Sequence, residues 1–160
     1  MATATILPAE NTIVAEIFIA APPERVFQAI TDPAQLSQWW GQKGMYRITE
    51  RTADIRPGGK WSSVGVGADG TKFRVDGEYL QVEPPRLLVH TWIASWTGDL
   101  KTIVRWDLAP SGDAGTLLKI RHEGFAGAPE AAQNHGEGWK RVLGWLLGFA
   151  EKGETVDTRN

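Results

Sequence analysis

The segment Pro129–Lys152, PEAAQNHGEGWKRVLGWLLGFAEK, constrains this chain more than any other. Ala132, Trp139, Val142, Leu143, Leu146, Phe149 and Ala150 recur at helical spacing. Pro129 suits the first turn and Gly153 suits the stop. At ~100° per residue, Trp139, Leu143, Leu146 and Ala150 form one seam, and Glu137, Lys140, Arg141 and Glu151 fall opposite. Trp145 and Leu147 flank the seam, so the apolar arc covers roughly half the circumference, wider than an ordinary surface helix shows. Such a helix needs a broad, curved apolar surface to lie in. No other segment reads as a helix of comparable length, so the rest of the chain must supply that surface.

The rest reads mostly as strands. Residues 1–11 look like a loose leader. Thr12–Ala20 is a strand by its β-branched content. Two short helices follow, Pro23–Ile30 and Pro33–Gln38, each opened by a proline, with Asp32 as cap of the second. They deliver Trp39-Trp40 into a glycine-bearing turn. Strands are then expected at Tyr46–Ile55, Trp61–Val66, Lys72–Gln81, Leu87–Trp96, Leu100–Leu108 and Thr116–Glu123, separated by turn signals such as Pro57-Gly58-Gly59 and Asp69-Gly70. Consecutive strands joined by tight turns pair antiparallel. The expected fold is therefore α+β. It is one domain over residues 1–160, with a seven-stranded curved antiparallel sheet wrapped around the C-terminal helix and two short helices after the first strand.

Composition narrows the function. A formal charge of −2 argues against nucleic-acid binding, which calls for a basic face. The absence of cysteine removes disulfide and thiolate chemistry. No apolar window is long enough for a membrane span, and the N-terminus lacks the pattern of a secretory signal, so the cytoplasm is the expected location. Eight tryptophans in 160 residues is the unusual number. Buried indoles need partners for their N–H groups, so this excess points to a large aromatic core, a ligand cavity or a sticky surface.

Several stretches resemble one group of proteins. APPERVFQAITDPAQLSQWWG at Ala21–Gly41, RPGGKW at Arg56–Trp61, DGTKFRVDGEYLQVEPPRLLVHTW at Asp69–Trp92, GTLLKIRHEGF at Gly115–Phe125 and HGEGWKRVLGWL at His135–Leu146 carry the likeness. In this order they resemble the helix-grip fold of the START and SRPBCC superfamily. Within it they resemble the bacterial branch named after activators of the heat-shock protein 90 ATPase. The resemblance implies the fold and a cavity between sheet and helix. It does not by itself imply co-chaperone activity.

The candidate ligand-binding residues are Trp39, Trp40, Trp61, Phe73, Tyr79, Trp92, Val104, Trp106, Ile120, His122, Trp139, Leu143 and Leu147. A void is expected between Trp139, Leu143 and Leu147 on the helix and the sheet face bearing Tyr79, Val104, Trp106 and Ile120. One of Trp39 and Trp40 should stand near its mouth, the other should plug the corner, and a volume of about 300 Å³ or more would suit a small ligand. His90, His122 and His135 show no metal-ligand spacing, so no metal and no cofactor is expected. Glu50 and Asp54 share a face with Tyr46 and Ile48 if that strand is regular, but carboxylates at a solvated strand end are the plainer reading. No catalytic set is assigned. Gly144 and Gly148, on the polar side of the helix, suggest close packing of another segment or a second subunit, which makes a homodimer the candidate assembly. The leading function is binding of a small apolar or aromatic molecule. A cyclase or dehydratase acting on polyketide-like substrates is the first alternative. A co-chaperone-like regulator of a heat-shock protein 90 type ATPase is the second.

Overall fold

The computed structural model describes residues 2–159. Its elements run β1 (Thr3–Leu7), β2 (Thr12–Ile19), α1 (Pro23–Thr31), α2 (Pro33–Trp39), β3 (Gly41–Gln42), β4 (Tyr46–Ala53), β5 (Lys60–Gly67), β6 (Lys72–Glu83), β7 (Leu87–Ala94), β8 (Lys101–Ser111), β9 (Gly115–Glu123) and α3 (Pro129–Lys152). One antiparallel sheet holds all the strands in the order β1-β2-β9-β8-β7-β6-β5-β4-β3. α3 lies across its concave side, over β1 and β2 in particular. The fold is the helix-grip arrangement, and no helix among the described residues is long and apolar enough to cross a membrane.

The sheet has nine strands rather than seven. Residues 3–7, expected as a loose leader, form β1, which pairs with β2 from Thr3↔Glu16 to Leu7↔Thr12. Partner availability explains the change: β2 offers a free edge, and TATIL is rich in β-branched residues. β3 is a two-residue pairing with β4. The strand beginning at Leu87 stops at Ala94, and Ser95–Thr97 form a 3-10 turn.

Alternation along the strands matches the sheet's two faces. In β8, Thr102, Val104, Trp106 and Leu108 are buried while Lys101, Ile103 and Arg105 are exposed. β7 departs from this, with Leu87 to Trp92 all buried. It is the middle strand of nine, flanked by β6 and β8. The remaining tertiary element is the tail after α3. Val156 is buried and its N–H donates to the carbonyl of Gln38. Arg159 donates to the carbonyls of Trp39, Gly41 and Trp145 at 2.6, 2.8 and 2.9 Å. At Gly148 a Cβ would collide with Glu154 of this tail. The close packing expected there is thus made by the chain's own C-terminus. Gly144 faces open space.

Candidate functional site

A cavity of about 370 Å³ opens between the first half of α3 and the β4–β6 side of the sheet. Tyr46, Ile48 and Arg51 reach it from β4, Ser63 from β5, Phe73 and Val75 from β6, and Trp92 from β7. α3 contributes Asn134, His135, Gly138, Trp139, Arg141 and Val142, and Trp40 closes the end beside α2. Trp96, on the 3-10 turn, is 49% exposed and stands at the mouth with Asn134 and Arg141.

Local structure explains how these side chains converge. β4 carries a bulge between Ile48 and Glu50. A bulge inserts one residue, so the side chains beyond it change face. Ile48 opposes Gly65, Glu50 opposes Val64 and Arg51 opposes Ser63. Arg51 therefore points inward, Glu50 is exposed, and Asp54 is exposed in an ion pair with Arg56 at 2.7 Å. The inward Glu50–Asp54 pair that a regular strand would have made does not form. Gly65 leaves room for Phe73, whose ring occupies the space a Cβ would take.

The aromatic walls are held by hydrogen bonds at their edges. The Trp40 indole donates to the Tyr46 hydroxyl at 3.1 Å, and Trp96 donates to Asn134 Oδ1 at 3.1 Å. Trp40 stacks on Trp92 with centroids 6.1 Å apart, and Trp96 stacks on His135 at 5.7 Å. Burial pushes the Tyr46 phenol up.

Each of the three histidines accepts an indole N–H. Trp106 donates to His90 Nε2 at 2.9 Å, Trp139 to His122 Nδ1 at 3.1 Å and Trp92 to His135 Nε2 at 3.2 Å. The opposite ring nitrogens then carry the protons. His90 Nδ1 donates to the Thr91 carbonyl and His135 Nδ1 to that of Ala131, each at 2.9 Å. The Thr102 hydroxyl donates to the Trp92 carbonyl, so its oxygen accepts from His122 Nε2 at 2.7 Å. All three rings are neutral and fixed in one tautomer. Burial lowers all three, His90 to about 4 and His122 well below the ordinary histidine range. Among the described residues no cluster of histidine and carboxylate groups could hold a metal ion.

Of the residues named from sequence, Trp40, Phe73, Trp92 and Trp139 line the cavity. Trp39, Trp61, Tyr79, Val104, Trp106, Ile120, His122, Leu143 and Leu147 do not. Trp39 is fully buried and donates to the Ala29 carbonyl at 2.8 Å, which makes it the corner plug and Trp40 the wall. Val104, Trp106, Ile120 and Leu143 meet in a filled core, none more than 2% exposed, and Leu147 packs at its edge. His122 lies within that core between Trp139 and Phe125. Trp61 and Tyr79 are buried behind the cavity wall. The displacement follows from the position of α3: over the β1–β2 side its seam fills the sheet's hollow, and the gap opens on the far side. Sequence reasoning missed Tyr46, Ile48, Arg51, Ser63, Val75, Trp96, Asn134, His135, Gly138, Arg141 and Val142 as lining residues. The same-face set Tyr46 and Ile48 was visible as a signal, but the bulge that adds Arg51 was not.

Fold and site together define a helix-grip domain with a side-opening aromatic pocket. The family described as activator of Hsp90 ATPase homolog 1-like protein matches residues 20–148, and the chain belongs to it. Solved structures agree. A protein from Chromobacterium violaceum is 31% identical over 88% of this chain and 97% of its own, with a TM-score of 0.76. CalU16 from Micromonospora echinospora is 27% identical over 96% of this chain and 85% of its own, with a TM-score of 0.68. A Rhodobacter sphaeroides protein, 23% identical over 92% of this chain and 95% of its own, shares the fold with a TM-score of 0.78. No curated protein sequence matches the chain.

Proposed function

We propose that this domain binds a small molecule with an apolar, aromatic body in the pocket beside α3. The observation that carries the reading is the lining. Trp40, Phe73, Trp92 and Trp139 present ring surface to one space of about 370 Å³, a size within the range of small-molecule sites. Burial of the ligand's apolar surface would supply the affinity, and the few polar groups among the walls would set its orientation.

Binding is favoured over catalysis by the state of His135. It is the histidine of the lining, and both of its nitrogens are engaged, one by Trp92 and one by the Ala131 carbonyl. A general base must be free to take a proton. A base at His135 would first have to release the Trp92 indole.

Titration with N-phenyl-1-naphthylamine, a neutral apolar fluorophore, tests the proposal. Tryptophan emission should be quenched with saturation at one site per chain, and Phe73→Ala should weaken the interaction. Linear, non-saturating quenching with unchanged behaviour of Phe73→Ala would overturn it.

A further inference from the structure

The charged groups of the pocket carry the reading one step further. Its described lining contains two arginines, Arg51 and Arg141, and no carboxylate. Six other arginines are provided for differently. Arg47, Arg56, Arg74, Arg86, Arg105 and Arg121 each form an ion pair with an aspartate or glutamate. Among the described residues no carboxylate pairs with Arg51, the arginine that the β4 bulge turns inward.

Its surroundings are specific. The guanidinium lies over the Trp61 ring, 4.6 Å from the centroid, and its Nη1 donates to Ser63 Oγ at 2.7 Å. The Nε is shielded from solvent without a partner. Two more shielded polar atoms lack partners, the Trp61 indole nitrogen and the Tyr79 hydroxyl. Both belong to neighbours of the same guanidinium: Trp61 stacks against it, and the Tyr79 hydroxyl lies beside it without reaching good hydrogen-bond geometry. The Arg51 Nε and the Trp61 indole nitrogen can only donate, while the Tyr79 hydroxyl can donate or accept. Donors outnumber acceptors here, and no carboxylate offsets the positive charge of Arg51. Leaving such a charge alone is costly, and stacking on an indole offsets only part of that cost. A carboxylate is acceptor-only and matches the guanidinium fork in bidentate geometry.

We propose that the pocket selects an aromatic or similarly apolar carboxylic acid, with its body against Trp40, Phe73, Trp92 and Trp139 and its carboxylate on Arg51. Ser63, already held by Arg51, has a hydroxyl proton free to donate to the same group. The proposal rests on the pocket being a ligand site.

Two isosteric probes separate the two ideas: naphthalene-2-carboxylate and naphthalene-2-carboxamide, titrated near neutral pH by calorimetry. The acid should bind about tenfold tighter or more, as a charge-assisted hydrogen bond implies. Arg51→Met should remove that preference while leaving the amide's affinity within about threefold. Arg141→Met, at the exposed rim, should change the acid's affinity by less than that. Equal affinities of the unaltered protein for acid and amide would overturn the carboxylate proposal and leave the apolar pocket standing. A preference erased by Arg141→Met and kept in Arg51→Met would move the anion to the rim and overturn the role of Arg51. If neither probe binds, the ligand-site reading fails and this one with it. The acid–amide comparison on the unaltered protein decides even if Arg51→Met does not fold.

Discussion

Two halves of this interior are made of the same kinds of residue and end in different states. Under β8 and β9 the space is filled. Leu143, Val104, Trp106 and Ile120 interlock, and the polar edges of the aromatics are matched, with Trp106 on His90 and Trp139 on His122. Over β4 to β6 the space is open. Trp40, Phe73 and Trp92 face a cavity, and Arg51, Trp61 and Tyr79 each keep a shielded atom without a partner. Aromatic content therefore does not decide whether an interior is solid. Two things do: whether the covering helix reaches the strands opposite, and whether each buried donor meets an acceptor of the same chain.

The comparison can be broken most sharply in its filled half. Leu143→Ala should cost about 2–5 kcal/mol, because a fully buried site surrounded by packed neighbours cannot collapse around the loss. Phe73→Ala, beside existing space, should cost less than half as much. Urea unfolding of both variants gives the difference, and equal losses would mean that the two halves are packed alike.

Acid provides a second probe of the filled half. His90 is neutral in the folded state, with its protonation lowered to about 4, against about 6.5 in the unfolded chain. The unfolded state thus binds more protons below about 6.5, so stability is complete above that pH and declines as pH falls toward about 4. The loss expected from this ring is about 3 kcal/mol, with His122 and His135 acting in the same direction. Denaturant midpoints measured between neutrality and mild acid should fall steadily. A flat profile would mean that the indole–histidine pairs do not hold the rings neutral.

The tail after α3 supports the open half, since Arg159 ties Trp39, Gly41 and Trp145 together beside Trp40. Arg159→Met should cost about 1–3 kcal/mol by the loss of charged hydrogen bonds. It should also weaken binding of N-phenyl-1-naphthylamine by loosening the Trp40 wall. Lost stability with intact binding would confine the tail's effect to the α2 corner.

The smallest effect should have the opposite sign. Gly138 lines the pocket from within α3, and a Cβ there would meet nothing closer than Arg141 Nη2 at 3.9 Å. Gly138→Ala should stabilise the helix by about 0.5–1 kcal/mol. The same methyl intrudes on the pocket and should lower affinity for the fluorophore. A variant both more stable and fully competent in binding would show that the ligand does not use this part of the wall.

Much of the architecture was legible in the chain's own pattern. Period-two alternation in Leu100–Leu108 and Thr116–Glu123 and the 3.6-residue period of Pro129–Lys152 are local signals, and strands Lys101–Ser111 and Gly115–Glu123 and the helix formed where those signals lie. β1 was not legible, because five residues gain strand structure only from the β2 edge beside them. The tail was not legible either, because Arg159 acts on carbonyls more than a hundred residues away at Trp39 and Gly41.

The sequence by itself determined the helix and the alternating strands, which rest on hydrophobic periodicity between near neighbours, and the aromatic surplus, which is composition; the helix-grip class was what the resemblance of its motifs implied. Only the tertiary structure decided where the hollow lies and which charge faces it. Those depend on the placement of α3 over β1 and β2 and on one extra residue in β4. That single bulge turns Glu50 to solvent and Arg51 to the pocket, and no periodic signal marks it, because a strand's faces exchange with a one-residue slip.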